Sequence, residues 1–187
     1  MQYITCVQTA KLIRAALKES FPTVKFSVTS SQYAGGASIS IRYINGPTAD
    51  QVNQVVKVFE GSYFDGMQDY KGQNYANLDG QEVKFGADYV FVNRSYSADF
   101  LEGVAQKVAQ DYGIDFSLVT IKTNQYSGSY IDCPATLTAG GRYFNQMVNI
   151  AMSEVSLADP FPSKTLARVY SMGDDGYGYG CVGRLAA

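Results

Sequence analysis

Apolar residues in the first 45 positions recur first at helical spacing and then at every second residue. These two periods predict a helix followed by two strands. Apolar residues recur at helical spacing from about 5 or 9 to 20. Phe21-Pro22 ends this helix because a residue before proline is pushed out of the α region. In 25–29 and 38–43 every second residue is apolar, which is typical of half-buried strands. A turn at 32–36 joins them into a predicted hairpin.

A second helix is predicted after Pro47. Thr48 and Gln51 have the spacing of a capping box, in which each side chain bonds the backbone N–H of the other residue. An apolar stripe follows before Gly61 stops the helix. The residues of the stripe are Val52, Val55, Val56 and Phe59. We expect them to be buried on one helix face.

The middle of the chain changes character. Residues 62–80 are rich in Gly, Asp, Asn and Tyr with little periodicity, and they predict a long loop with local turns. Two strands are predicted after it, at 82–85 and 88–93. The second contains the run Tyr89-Val90-Phe91-Val92, which is expected of a central, buried strand.

The second half of the chain follows the order of the first. Ser97 is a predicted N-cap for a helix at 98–112, and Gly113 supplies the stop. Strands are predicted at 117–123 and 130–133, and Gly140-Gly141 is predicted to open a helix at 142–155. Both predicted hairpins turn through a Gln-Tyr-small-Gly sequence, starting at Gln32 and at Gln125. This order indicates an internal αββα repeat, although two unrelated segments with a common pattern would look the same.

These elements predict an α+β fold, with a predominantly antiparallel sheet packed with helices and a possible tandem αββα repeat. We expect one domain over 1–187, with possible halves at 5–61 and 97–155. Residues 62–96 would be a Tyr/Gly/Asp-rich insertion and 156–187 a Gly/Tyr-rich tail. The helices near 9–20 and 98–112 are expected on the same face of a shared sheet.

Composition excludes several classes of function. The 187 residues contain no histidine, which excludes Ser-His and Cys-His nucleophile pairs, two-histidine iron sites and Cys/His zinc fingers. The net charge of -2 lacks the basic excess of a protein that tracks phosphates. Cys6, Cys133 and Cys181 show no CxxC pairing, which predicts buried, reduced thiols in a cytoplasmic protein. We expect no catalytic residue, cofactor or metal site, and no membrane segment.

Tyrosine and glycine cluster in two segments that are candidates for partner binding. Tyrosine gives a large amphipathic contact area at low entropic cost, so such clusters serve as protein contacts or stack bases. The alternative interpretation is that these tyrosines only cover the ends of the sheet. Aspartates in such segments are usually turn residues. The candidate partner-binding residues are Tyr63, Phe64, Asp65, Asp69, Tyr70, Tyr75, Tyr177 and Tyr179.

Four short motifs carry a resemblance to a known family. They are Phe21-Pro22 followed by Lys25-Phe26-Ser27-Val28, then Gly46-Pro47-Thr48, then Phe64-Asp65-Gly66-Met67 with Asp69, and later Phe85-Gly86-Ala87-Asp88-Tyr89-Val90. With them, residues 10–93 resemble the large polyvalent protein-associated domains of phage and plasmid proteins. The resemblance implies a gene carried on mobile elements, whose larger relatives are thought to help incoming DNA establish itself or evade host defences. It carries over no catalytic residue.

The resulting expectation is a non-enzymatic accessory or anti-defence protein of a phage, prophage or plasmid. It would dock on a host protein such as a restriction or CRISPR component, through the tyrosine-rich segments. The alternative is a single-stranded nucleic-acid-binding protein that uses exposed tyrosines, against which the net charge argues. An enzyme working through Asp, Glu, Tyr or Arg alone is the third and least favoured hypothesis.

Overall fold

A computed structural model of the protein describes residues 1–124 and 128–171, which fall into two units. Unit 1 contains residues 1–42 and 50–93, together with the described residues from 158 onward. Unit 2 contains residues 43–49 and 94–157. Each unit therefore collects segments that are far apart in sequence.

Four α-helices and three short 3₁₀ helices occur in the described residues. The α-helices are α1 (Cys6–Ser20), α2 (Ala49–Val56), α3 (Ala98–Tyr112) and α4 (Phe144–Glu154). The 3₁₀ helices are Lys57–Phe59, Phe116–Leu118 and Leu166–Arg168. The predictions of α1, of α2 with its continuation to Phe59, and of α3 are confirmed.

Local capping explains the bounds of α1 and α3. Thr5 and Gln8 form a capping box, with the Thr5 Oγ1 accepting from the Gln8 N–H at 3.3 Å and the Gln8 Oε1 accepting from the Thr5 N–H at 2.9 Å. The Ser97 hydroxyl accepts from the backbone N–H of Phe100 at 3.3 Å. Gly113 ends α3 at φ 65°, a left-handed conformation that suits glycine.

Thirteen strands in the described residues form five sheets. The strands are β1 (Gln2–Ile4), β2 (Ser27–Tyr33), β3 (Gly36–Ile44), β4 (Ser62–Asp65), β5 (Tyr70–Gln73), β6 (Ala76–Leu78), β7 (Gln81–Phe85), β8 (Tyr89–Ser95), β9 (Thr120–Asn124), β10 (Gly128–Asp132), β11 (Thr138–Ala139), β12 (Arg142–Tyr143) and β13 (Val169–Ser171). Their orders are β1-β7-β6-β13, β2-β3-β8, β4-β5, β9-β10 and β11-β12. Strands β1 and β7 run parallel, whereas the hairpins are antiparallel, so the predicted α+β class is confirmed.

The core of unit 1 lies between its helices and the inner faces of its strands. Helix α1 packs on β2 and buries Ile13 and Leu17, while β3 buries Ile39 and Ile41 on one face. All four residues of the predicted apolar stripe of α2 are buried, which confirms the predicted phase of that helix. The ring of Phe59 packs edge-on against Phe85 with 5.3 Å between centroids.

The core of unit 2 is built by α3, α4 and the β9-β10 hairpin. Its fully buried residues include Leu101, Phe144 and Val148. Arg94 lies at the side of this core, where its guanidinium donates to the backbone carbonyls of Asn45, Gly46, Met152 and Val155. This arginine is therefore a structural residue that satisfies carbonyls at the end of α4.

Two predicted features are corrected by the structure. Residues 62–80 are not a long loop, because they contain the β4-β5 hairpin and strand β6. Strands of three or four residues are too short for the alternation of apolar and polar residues to be recognised in the sequence. Gly140-Gly141 does not open a helix: these residues form the two-residue turn between β11 and β12, with φ of 58° and 79°. Helix α4 begins later, at Phe144.

The predicted shared sheet is also wrong. Hairpin β2-β3 belongs to a sheet with β8, whereas β9-β10 is a two-stranded sheet of its own. Helix α1 packs on β2 in unit 1, and α3 packs on β9 and β10 in unit 2. The order helix, strand, strand, helix recurs in the chain, with the β11-β12 hairpin inserted the second time. The second Gln-Tyr turn falls in 125–127, outside the described residues, and internal duplication stays a prediction.

No helix among the described residues is long and apolar enough to cross a membrane.

Candidate functional site

Asp88 is the centre of a hydrogen-bond cluster that joins three strands of unit 1. Its Oδ1 accepts from the Ser62 hydroxyl of β4 at 2.8 Å. Its Oδ2 accepts from the backbone N–H of Ala37 in β3 at 3.1 Å and lies 3.0 Å from the Lys71 ammonium of β5. The carboxylate side chain is only 19% exposed. One acidic residue therefore holds together segments up to 51 positions apart in sequence.

These contacts explain the protonation of the cluster. Burial by itself would raise the pKa of Asp88, but the hydrogen bonds from Lys71, Ser62 and Ala37 outweigh it and lower that pKa. The hydrogen bond to Asp88 raises the pKa of Lys71. Nearby Cys6 is fully buried, and burial, then the Asp88 charge, raises the pKa of its thiol. The cluster is thus an ion pair beside a buried thiol, whose raised pKa disfavours the nucleophilic thiolate form.

A cleft of about 520 Å³ opens above this cluster, and we call it the Asp88 cleft. The turn between β2 and β3, strand β5, and the residues around the end of β7 form its walls. Its side chains include Tyr3, Tyr33, Lys71 and Lys84, and the amides of Gln32 and Gln73. The volume is within the usual range of about 300–1,000 Å³ for small-molecule sites.

Glycines allow the close packing around the cleft. A side-chain carbon at Gly36 would overlap the carboxylate of Asp88, and one at Gly86 would lie 2.8 Å from the backbone oxygen of Ile4. At Gly72 such a carbon would overlap the ring of Tyr63. The absence of side chains at these positions therefore positions Asp88 and Tyr63.

The β4-β5 hairpin carries most of the partner-binding residues predicted from the sequence. Phe64 and Tyr70 are 57% and 56% exposed. Tyr63 is half-buried because its ring covers Gly72 on the paired strand. Tyr75 lies after β5, half-buried, and its hydroxyl donates to the Gln73 Oε1 at 3.2 Å. Tyr177 and Tyr179 lie outside the described residues.

The aspartates of the hairpin form its turn. The Asp65 Oδ1 accepts from the backbone N–H of Met67 at 2.9 Å, and Asp69 has a φ of 48°. Met67 itself is 95% exposed at the tip, and the sequence reading did not select it. Met67 follows Asp65-Gly66, a pair typical of turns, and this position is the signal that would have found it. The tip thus presents an apolar side chain flanked by two carboxylates.

A second exposed aromatic surface was missed because β8 was predicted to be a central strand. Strand β8 lies at the edge of the β2-β3-β8 sheet, and Phe91 is 54% exposed. Its ring lies 6.3 Å from that of Tyr89, and the Lys71 ammonium lies 5.8 Å from the centre of the Tyr89 ring. Phe91 and Tyr89 point to the same side because side chains alternate along a strand.

Acidic residues and cysteines of the described chain form no metal site. No group of three or more His, Cys, Asp or Glu side chains lies close enough, within 1–124 and 128–171, to hold an ion. Cys6 and Cys133 are free thiols. Cys133 is half-buried rather than buried, and burial, followed by the Asp132 charge, raises its pKa. Cys181 lies outside the described residues.

Comparison with models of known protein families identifies the family of this chain. The model of large polyvalent protein associated domain 29 matches residues 4–97, which is just over half of the chain. The chain belongs to this family. The matched segment contains the β4-β5 hairpin and every residue that lines the Asp88 cleft except Tyr3. Membership associates the protein with phages and other mobile genetic elements, as the sequence motifs indicated. No curated protein and no solved structure gives a match.

Proposed function

We propose that the protein is a non-enzymatic, anti-defence binding protein of a mobile genetic element that docks on a host protein through the β4-β5 hairpin. The host protein would be a defence component, such as part of a restriction or CRISPR system. The observation that carries this proposal is the exposure of Phe64, Met67 and Tyr70 on a single hairpin. Family membership supports the mobile-element setting.

Burial of these three side chains would supply the binding energy. Exposed aromatic and methionine side chains are enriched in protein interfaces, and a few of them usually carry most of the affinity. Phe64 pairs with Lys71, whereas Tyr70 pairs with Asp65, so the two rings lie on opposite faces of the hairpin. A partner would therefore enclose the hairpin in a groove rather than meet one flat face.

The charges of the hairpin indicate the charge expected at the rim of the partner's groove. Asp65 and Asp69 flank the apolar tip, and neither belongs to an ion pair of the described residues. A basic rim on the partner would complement them and speed association. Defence proteins that cut or bind nucleic acid have such basic surfaces. The proposed partner surface is thus an apolar groove with a lysine- and arginine-rich rim.

The test is capture from host lysate with tagged protein, followed by quantitative mass spectrometry. Wild-type protein should enrich a defence component, and Phe64→Ala and Tyr70→Ala should each reduce that enrichment several-fold. Phe161→Ala is the matched control because Phe161 is a similarly exposed phenylalanine, at 60%, outside the hairpin. Tyr63→Ala is unsuitable because that ring packs on Gly72. Equal capture by wild type and both hairpin variants would reject the hairpin as the docking surface.

Exposed Phe91 and half-buried Tyr89 on β8 favour single-stranded nucleic acid as the second candidate ligand. Phe91 and Tyr89 offer a surface for stacking, and Lys71 adds charge beside it. Fluorescence anisotropy with a labelled single-stranded oligonucleotide in about 150 mM salt tests this function. Micromolar binding with a steep salt dependence, lost in Phe91→Ala, would replace the docking proposal. Feeble binding that Phe91→Ala leaves unchanged would reject this second function.

A further inference from the structure

We propose that the Asp88 cleft binds a nucleoside monophosphate unit, either free or at the phosphorylated end of a strand. The argument for this ligand does not use protein docking by the β4-β5 hairpin, although strand β5 of that hairpin forms one wall of the cleft. It follows from the charge, the rings and the amides that the cleft brings together.

Charge in the cleft favours an anionic ligand. Asp88 already accepts three hydrogen bonds, one of them from the Lys71 ammonium, so its carboxylate has little capacity left for a ligand donor. Lys84 also lines the cleft and belongs to no ion pair of the described residues. Two ammonium groups against one carboxylate leave a net positive charge. A phosphate group would complement it through charge-assisted hydrogen bonds.

Tyr3 and Lys84 place a ring and a cation side by side. They are direct partners in the parallel pairing of β1 and β7, so both side chains project from the same face about 4.8 Å apart at the backbone. Tyr3 is 60% exposed, which leaves its ring accessible to a stacking ligand. A base stacked on Tyr3 would bring its own phosphate towards Lys84.

The rest of the lining supplies a second ring and two amides. Tyr33 is 52% exposed beside Gly36, and Gln32 and Gln73 lie in the same lining. Amide groups both donate and accept hydrogen bonds, which is what the polar edges of bases require. A sugar phosphate without a base would use the lysines but not these rings. The combined lining therefore fits a nucleotide better than a simple anion.

Isothermal titration calorimetry on the intact protein tests the proposal. The probes are AMP, CMP, GMP and UMP, each paired with the matching nucleoside, and inorganic phosphate alone. At least one monophosphate should bind about tenfold more tightly than its nucleoside and than phosphate. No binding by any of the four at about 5 mM, or equal binding of nucleotide and phosphate, would overturn the proposal.

Variants locate the ligand. Lys84→Ala and Tyr3→Ala should each weaken nucleotide binding about tenfold, because each removes one of the two paired contacts. Lys11→Ala is the matched control, since Lys11 is an exposed lysine of unit 1 outside the cleft, and it should bind as wild type does. Thermal melts of the variants establish that they are folded. Folded Lys84→Ala and Tyr3→Ala proteins that bind with unchanged affinity would overturn the proposal.

Two further measurements distinguish a free nucleotide from a strand end, and binding in the cleft from docking by the hairpin. A short oligonucleotide with a 5′-phosphate that binds more tightly than the free monophosphate would identify a strand end as the ligand, and the reverse would identify a free nucleotide. Phe64→Ala should leave nucleotide binding unchanged even if it abolishes capture of a host protein. Loss of nucleotide binding in Phe91→Ala but not in Lys84→Ala would assign the ligand to the sheet face and overturn the cleft.

Discussion

The guanidinium of Arg94 donates a hydrogen bond to the backbone carbonyl of Met152, at 3.1 Å, in the last turn of α4. Further bonds reach the carbonyls of Val155, Asn45 and Gly46 at 2.8 to 3.0 Å. The cation also lies 5.0 Å from the centre of the Tyr96 ring. Carbonyls at a helix end have no partner within the helix, and a positive charge there is favourable. Arg94 therefore connects residues 45 and 46 with the end of α4 inside unit 2.

Removal of Arg94 is expected to destabilise the protein. Arg94→Ala should lower the free energy of unfolding by roughly 3 kcal/mol, because several half-buried carbonyls lose a charged donor. Arg94→Lys should recover only part of this, since an ammonium does not reproduce the planar fork that reaches several acceptors. Urea unfolding at pH 7 measures both. Arg42→Ala, at an exposed arginine, should change stability by less than about 0.5 kcal/mol, and an equally small effect at Arg94 would contradict the structural role.

Phe59 is expected to be a main stabilising residue of unit 1. It is completely buried and packs against Phe85, so Phe59→Ala should cost roughly 3 to 5 kcal/mol through lost transfer energy and a cavity. Thermal or denaturant unfolding measures the loss. The comparison is Phe64→Ala, which removes an exposed ring and should cost less than about 1 kcal/mol. A loss below about 1 kcal/mol for Phe59→Ala would show that this residue contributes little to the core.

Asp88 should make the protein sensitive to acid. Its pKa is lower in the folded protein than in the unfolded chain, so its contribution is present above the unfolded value, about 4, and is lost as the pH falls through the folded value. Asp88→Asn should cost about 2 kcal/mol at pH 7, because Lys71 loses its partner. The free energy of unfolding between about pH 5 and pH 2 should also fall less steeply in this variant. Parallel curves for variant and wild type would contradict this assignment.

Glu19 should hold the segment after residue 158 on α1 in a pH-dependent way. Its carboxylate accepts from the Thr165 N–H at 2.8 Å, the Ser163 hydroxyl at 2.7 Å and the Thr165 hydroxyl at 3.0 Å. The Thr165 backbone bond is the largest cause that lowers the pKa of Glu19, followed by the Ser163 hydroxyl. This stabilisation is therefore present above about pH 4 and is lost as the pH falls through the folded pKa.

Hydrogen exchange tests this contact locally. Glu19→Gln should speed exchange of the Thr165 and Leu166 amides and lower stability by about 1 kcal/mol, a small value because Glu19 is partly exposed. Glu154→Gln, at an exposed glutamate, is the control and should leave those amides unchanged. Protection that is the same in Glu19→Gln and wild type would mean that other contacts hold the segment.

The proposed partner-binding residues were only partly predictable from the sequence. Tyrosine and glycine enrichment located the β4-β5 hairpin, but exposure separates Phe64 and Tyr70 from Tyr63, and exposure depends on the pairing of Tyr63 with Gly72. No residue of the Asp88 cleft was selected as a site from the sequence, although Gly86 and Asp88 lie in one of the family motifs. The contacts of the cleft join Ala37, Ser62 and Lys71 with Asp88 across loops whose closure no local pattern encodes.

The sequence by itself determined the features that depend on residues close together in the chain. The bounds of α3 follow from the Ser97 hydroxyl and from Gly113, each acting within a few residues. The buried face of α2 follows from helical spacing alone. The motifs of residues 10–93 indicated the family because each motif is a short stretch that can be recognised in the sequence without the fold. Tertiary structure alone decided which strands share a sheet, that Phe91 lies exposed on an edge strand, and that Arg94 reaches the end of α4. These features depend on contacts between distant segments, which form only when burial of the whole core offsets the entropy of closing the loops between them.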